Sequence, residues 1–202
     1  VTVLLVGCGA LARELIALRE RHGWDADILS LPALLHNTPE RIPDALAAKV
    51  GEVGGDYERV IVVYGDCGTG GLLDARLDEL GLERISGPHC YEIYAGAEGF
   101  AGLMDEEPGT FFLTDYLVQS FDHLVIEGLG IDRNPSLRDE YFRNYRRMVY
   151  LQQRDDPGLL AKAQAAAEAL DLPLEVRRTG YGALESRLLA MLDEGRSGND
   201  DP

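Results

Sequence analysis

The chain reads as an α/β protein of Rossmann-like type, a mainly parallel sheet with helices on both faces. Two features carry that reading. The runs VTVLLV and RVIVVY are short, rich in β-branched residues and stopped by glycine, as strands buried on both faces are. Stretches of helical periodicity alternate with such runs over the first 113 residues, which is the pattern of a parallel sheet covered by crossover helices.

The elements follow in order. Val1–Val6 is the first strand, and Ala10–His22 a helix with Leu11, Leu15, Ile16 and Leu18 on its apolar side. Ala26–Leu31 is the second strand. Pro39–Val50 is a helix with Thr38 as N-cap and Pro39 at the first helical position. Arg59–Tyr64 is the clearest central strand. Gly71–Leu80 is a helix closed by Gly81. Glu83–Ser86 is a short strand, Cys90–Leu103 a helix weakened by Gly96, Gly99 and Gly102, and Thr110–Leu113 a strand stopped at Thr114 and Asp115.

Beyond Asp115 the alternation lapses. Two helical stretches follow one another, Tyr116–Glu127 and Pro135–Arg147, the second with Asn134 as cap and Leu137, Tyr141 and Tyr145 at four-residue spacing. Then come strand Met148–Gln152, helix Pro157–Leu170, strand Leu174–Arg178 and helix Ala183–Leu192. One continuous sheet and a single α/β domain over 1–192 are expected. Residues 193–202 (DEGRSGNDDP) lack apolar side chains and are expected to form a disordered acidic tail.

A chain of 202 residues with 46% hydrophobic content can bury one good core. The net charge of −16 argues against nucleic acid, whose backbone needs a basic surface, and against anionic membranes. No stretch approaches a membrane span, and VTVLLVGCG breaks at glycine too early for a leader. Three widely spaced cysteines make no disulfide framework. A reduced cytoplasm is the expected compartment, where such thiols serve metal binding or catalysis.

All three cysteines fall where a run ends: Cys8 in VLLVGCGA, Cys67 in VIVVYGDCGTGG, Cys90 in RISGPHCYE. In a parallel sheet the carboxyl ends of the strands share one edge, and ligands bind in the crevice there. Three thiols on that edge can converge on one metal, although cysteine is also a common inert core residue. Each stands near a helix N-terminus, and Arg13 lies one turn beyond Cys8, features that favour thiolate. Small residues for tight turns would account for the neighbouring glycines but not for the cysteines.

His89 beside Cys90 completes a three-thiolate, one-imidazole set suited to zinc. Neighbouring side chains diverge, however, and His36 in LLHNTPER is an equal candidate as ligand or as acid–base group. Asp66 and Glu92 can orient ligands, or merely cap helices; Asp66 is also a candidate catalytic residue. His22 and His123 are expected to do neither job. Gly65, Gly68 and Gly70 belong to a glycine loop whose N–H groups can cradle an anion, with Arg13 nearby. The loop lacks the lysine of a P-loop. Gly7-Cys8-Gly9-Ala10-Leu11-Ala12 fits a dinucleotide fingerprint literally, yet the second strand ends without the acid for a ribose. Arg133, Arg138, Arg143, Arg146 and Arg147 form the one basic concentration, read as a solvated face with Arg138 pairing to Asp139 and Glu140, or as a carboxylate or phosphate clamp.

The string GCGA, LLHNTPER, YGDCGTGG, GPHCYE and FFLTDY resembles the domain-of-unknown-function family 1638, from Val3 to about Leu192. The resemblance implies a link to one-carbon metabolism, because members occur beside methylamine or corrinoid methyltransferases. It transfers no catalytic residue. Zinc on thiolates can bind a thiol and make it a methyl acceptor. The expectation is therefore a three-cysteine zinc protein of methyl-transfer or thiol chemistry, taking a small anionic or thiol-bearing ligand. The alternatives are a [4Fe–4S] enzyme with an open iron and a non-catalytic metal-binding partner of a corrinoid methyltransferase system.

Overall fold

The computed structural model describes residues 3–197. Val1 and Thr2 of the expected first strand, and 198–202 of the expected tail, lie outside the described residues. The protein is α/β, with parallel sheets flanked by helices. Its described residues divide into two compact units, 3–93 with 183–197, and 94–182.

The first unit holds strands β1 (Val3–Cys8), β2 (Ala26–Leu31), β3 (Arg59–Val63) and β4 (Glu83–Arg84), all parallel, in the order β2-β1-β3-β4. β1 is buried along its whole length. Its neighbours pair in step, Val6 opposite both Leu29 and Val62. Helices α1 (Ala12–His22), α2 (Ile42–Val53) and α3 (Leu72–Leu80) are the crossovers. Leu15 and Leu18 of α1, Leu46 of α2 and Leu73 and Leu77 of α3 are buried with Leu5, Ile61 and Val63. At about 1.5–3 kcal/mol for each side chain so buried, this core holds the sheet together.

The chain leaves β1 to one side for β2 and returns on the other for β3. That reversal is a topological switch point, and a crevice opens there at the carboxyl ends of β1 and β3.

The second unit carries β5 (Thr110–Leu113), β6 (Arg147–Gln152) and β7 (Leu174–Arg178) as a separate parallel sheet in the order β5-β6-β7. The expected continuous sheet is thus replaced by two. β4, at the edge of the first sheet, is only two residues long and pairs with Ile61 and Val62. Around β6 pack α8 (Pro157–Leu170) and residues such as Val118, Phe121 and Phe142.

Several helices differ from expectation. Residues 90–106 break at Gly96, whose φ of 76° no ordinary helix tolerates, into α4 (Cys90–Ala95) and α5 (Ala97–Glu106). The stretch expected as Pro39–Val50 opens with a 3-10 turn, Pro39–Arg41, and Thr38 makes no side-chain cap. Residues 116–127 form the short α6 (Asp115–Gln119), capped by Thr114, and then a wider π-type turn, Asp122–Glu127. α7 (Ser136–Phe142) is only seven residues long, and Arg147 belongs to β6. Arg147 is buried there, donating to Thr110 Oγ1 (2.9 Å) and to the Leu103 carbonyl (2.7 Å) and pairing with Glu106 and Glu175 at 3.1 Å. It is no solvated or substrate-clamping arginine. Ile16, expected on the apolar side of α1, is exposed. The last helix, α9 (Gly182–Ser197), continues through 193–197, which had been expected to be disordered. Among the described residues no helix is long and apolar enough to cross a membrane.

Candidate functional site

Cys8 ends β1, and its Sγ accepts the N–H of Ala10 at 3.3 Å as the chain turns into α1. Across the switch point, β3 is followed by Tyr64, fully buried, and by Gly65. A Cβ at Gly65 would stand 2.7 Å from His89 Cα and 2.8 Å from His89 N, so the two turns cross backbone on backbone. The N–H of Asp66 donates to the Gly87 carbonyl (3.1 Å) and that of Cys67 to Pro88 (2.7 Å). This stitching brings the Cys67 loop up to the turn that opens into Cys90.

The Cys67 loop is held from both sides. Asp66 accepts from Thr69 Oγ1 (2.5 Å), Gly71 N (2.9 Å) and Gly70 N (3.1 Å). Arg84 pairs with Asp74 (2.5 Å) and donates to the carbonyls of Ile85 (3.0 Å) and Gly87 (3.1 Å). Arg187 of α9 donates to the Ser86 carbonyl (2.6 Å) and to Glu92 Oε1 (2.8 Å), fixing the far side of the turn. Within this frame Cys67 adopts a left-handed backbone, φ 51°, which costs a residue other than glycine about 1–3 kcal/mol.

His36 enters from the 3-10 segment Ala33–Asn37 after β2. Its Nδ1 lies 3.0 Å from the Ala33 carbonyl and 3.7 Å from Cys8 Sγ. A carbonyl can only accept, so Nδ1 carries the proton, and in the neutral ring Nε2 keeps its lone pair. The ring lies nearly parallel to that of Tyr64, 6.3 Å between centroids.

Cys8, Cys67, Cys90, His36, Tyr64 and Gly65 line one cavity of about 10 Å³, room for a single water-sized occupant. The Tyr64 hydroxyl, buried at its wall, has no hydrogen-bond partner, a deficit worth about 1–3 kcal/mol. The thiols of Cys67 and Cys8, against burial, push His36 up to about 11. Burial pushes the Cys90 thiol up, and burial and then the neighbouring Cys8 raise the Tyr64 phenol. Among the described residues no three Cys, His, Asp or Glu side chains stand as a ready-made cluster. The thiols and imidazole surround the cavity, and holding an ion there requires them to turn inward. The donor set fits zinc: soft sulfurs, and an imidazole oriented by a backbone carbonyl through its other nitrogen.

The remaining expected site residues lie elsewhere. His89 is not in the cavity lining; its Nδ1 accepts from Glu92 N at 3.4 Å, capping the first turn of α4, and burial holds it below the ordinary imidazole range. The Asp66 carboxylate is engaged in organising its loop. Burial opposes its charge, but Thr69, Gly71, Gly70 and Arg84 together hold it below the usual range. Gly68 and Gly70 take φ of 84° and 65° in that loop, outside the lining. Arg13, exposed on α1, is also outside it. Glu92 pairs with Arg187 at 2.8 Å. His22 and His123 pair with Glu185 and Glu127. The residue that sequence reasoning passed over is Tyr64. Its signal was a single phenol ending an otherwise aliphatic strand, where a buried hydroxyl needs a partner.

The fold and site define an α/β protein with a thiol-lined switch point. The chain belongs to the family described as protein of unknown function (DUF1638), whose model matches residues 30–188. That span includes His36, Tyr64, Cys67 and Cys90 and leaves Cys8 outside. No curated protein and no solved structure matches the chain.

Proposed function

We propose that this protein binds one zinc ion through Cys8, Cys67, Cys90 and His36 and serves methyl-transfer or thiol chemistry in one-carbon metabolism. One observation carries the reading: three thiols and an imidazole, from four segments far apart in sequence, line one small cavity. A volume of about 10 Å³ suits a single ion and is too small for a four-iron cluster, which favours zinc over [4Fe–4S].

Zinc on thiolates supplies Lewis acidity and can hold a substrate thiol as thiolate. The chain's own residues do the rest. The Ala33 carbonyl orients His36, and the Ala10 N–H steadies the Cys8 sulfur. Cys8 is 2% exposed, whereas Cys67 is half-buried beside exposed Gly68. Cys67 would therefore be the ligand at the solvent side, where a small thiol could take its place and pass its proton to the released Cys67 thiolate. A site that never opens would instead mark a metal-binding partner of a methyltransferase system.

The test is metal analysis of anaerobically purified protein, then thiol titration of the cobalt-substituted form while following the sulfur-to-metal charge-transfer band. One zinc per chain and a band that responds to thiols are expected. A band indifferent to every thiol would favour the closed partner site, and failure to retain any metal would overturn the reading.

A further inference from the structure

We propose that the Tyr64 hydroxyl donates a hydrogen bond to the Cys8 sulfur when an ion draws that sulfur into the cavity, making Tyr64 a positioning residue of the centre. The inference rests on the zinc reading above.

Tyr64 is wholly buried and its hydroxyl has no hydrogen-bond partner. Phenylalanine would fill the same space without that cost, so packing alone does not account for the oxygen. The other cavity-lining side chains are Cys8, Cys67, Cys90, His36, Ala10 and Leu11. His36 has its Nδ1 committed to the Ala33 carbonyl and its Nε2 lone pair would hold the ion, and Ala10 and Leu11 offer no polar side chain, which leaves sulfur as the acceptor. Of the three sulfurs, Cys8 is the register neighbour of Tyr64, since Gly7 and Val63, the residues just before them, pair on adjacent parallel strands.

The ring cannot swing away. It stacks on His36, and its backbone runs directly from β3 into Gly65, pressed against His89. A thiolate sulfur has lone pairs to spare, and the Ala10 N–H uses one of them. Two donors on one metal-bound thiolate draw electron density from it, which steadies the ligand and raises the energy of its charge-transfer band.

The experiment compares wild type with Tyr64→Phe by cobalt titration against a chromophoric chelator, by the absorption spectrum of the cobalt form, and by thermal melting with and without metal. The variant should bind cobalt about tenfold more weakly, with its charge-transfer band moved to lower energy. Its metal-free form should melt at or above wild type, because an unpartnered hydroxyl has been removed. Wild-type affinity and band positions in the variant would overturn the Tyr64 assignment and leave the metal reading standing. Equal loss of melting temperature in both forms would also overturn it, by showing a merely structural role. Failure of wild type itself to take up cobalt would overturn both.

Discussion

Gly65 is the point where the Cys67 loop and the turn before Cys90 touch, and Gly65→Ala tests whether that crossing builds the site. The added methyl would lie 2.7 Å from His89 Cα, 2.8 Å from His89 N and 3.1 Å from the Pro88 carbonyl carbon. These are backbone atoms, so relief requires the two turns to part. Overpacking of this kind costs about 1–3 kcal/mol. Parting the turns also endangers the bonds from Asp66 N to Gly87 and Cys67 N to Pro88, each worth about 0.5–1.5 kcal/mol. A loss of about 2–6 kcal/mol follows, or about 1–3 M in urea midpoint at a slope near 2 kcal/mol/M. Trp24, the single tryptophan, lies in the first unit and reports its unfolding. Gly55→Ala is the control, since nothing lies within 4 Å of a Cβ there, and its midpoint should stay within about 0.3 M of wild type. The variant should also hold cobalt more weakly, because Cys67 and Cys90 are carried by the parted turns. A Gly65→Ala midpoint equal to that of Gly55→Ala, with unchanged cobalt binding, would refute the crossing as the organiser of the site.

Cys67→Gly should abolish stoichiometric metal binding and yet raise metal-free stability by about 1 kcal/mol, because glycine accepts a φ of 51° without strain; metal analysis and a urea melt read the two effects separately. For Asp66→Asn, the sign follows from a carboxyl held low in the folded state. Its contribution is full above the ordinary value of 3.8 and is lost as pH falls through the lower folded value. The variant should therefore be about 1 kcal/mol less stable at pH 7, with the gap closing in melts taken below pH 3.8. Arg147→Met should destabilise the second unit by about 1–3 kcal/mol, because it removes a buried donor from the Leu103 carbonyl and the Thr110 hydroxyl, leaving each with Glu107 alone, and also removes the pairs with Glu106 and Glu175. Circular dichroism should register that loss, and an unaltered melt would show the buried arginine to be dispensable.

The gathering of Cys8, Cys67 and Cys90 was legible because strand ends of a parallel sheet share an edge whatever the details of the loops. The choice between His36 and His89 was not. It depends on which way each ring faces, and that is set by the Ala33 carbonyl for one and by the amide of Glu92 for the other. Asp66 looked free for chemistry because nothing in GDCGTGG announces that Thr69, Gly70 and Gly71 all turn back onto its carboxylate. The split into two sheets was hidden for a similar reason. Glu83–Ser86 has strand character, but the paired strand is only Glu83–Arg84, with Ile85 adding one bond to Val62, and Arg84 spends its guanidinium on Asp74 and nearby carbonyls. Arg147 read as surface charge because its partners, Glu106 and Glu175, come from 41 and 28 residues away.

Two kinds of local fault meet at the cavity. Among the described residues the non-glycine positions with positive φ are Cys67 and Asp171, and the buried side-chain atoms without a partner are Tyr64 Oη and Arg76 Nε. Asp171 is accounted for by its place as the left-handed cap of α8, and Arg76 still pairs through Nη1 with Glu79. Cys67 and Tyr64 have no such local account, and both line the same 10 Å³ space. At about 1–3 kcal/mol each, the two faults together remove a sizeable part of a typical stability of about 5–15 kcal/mol. Glycine at 67 and phenylalanine at 64 would remove both without disturbing the core. Strain and an unmet hydroxyl concentrated where three thiols and an imidazole converge are the features expected of the proposed binding site, and the cobalt titrations test that proposal.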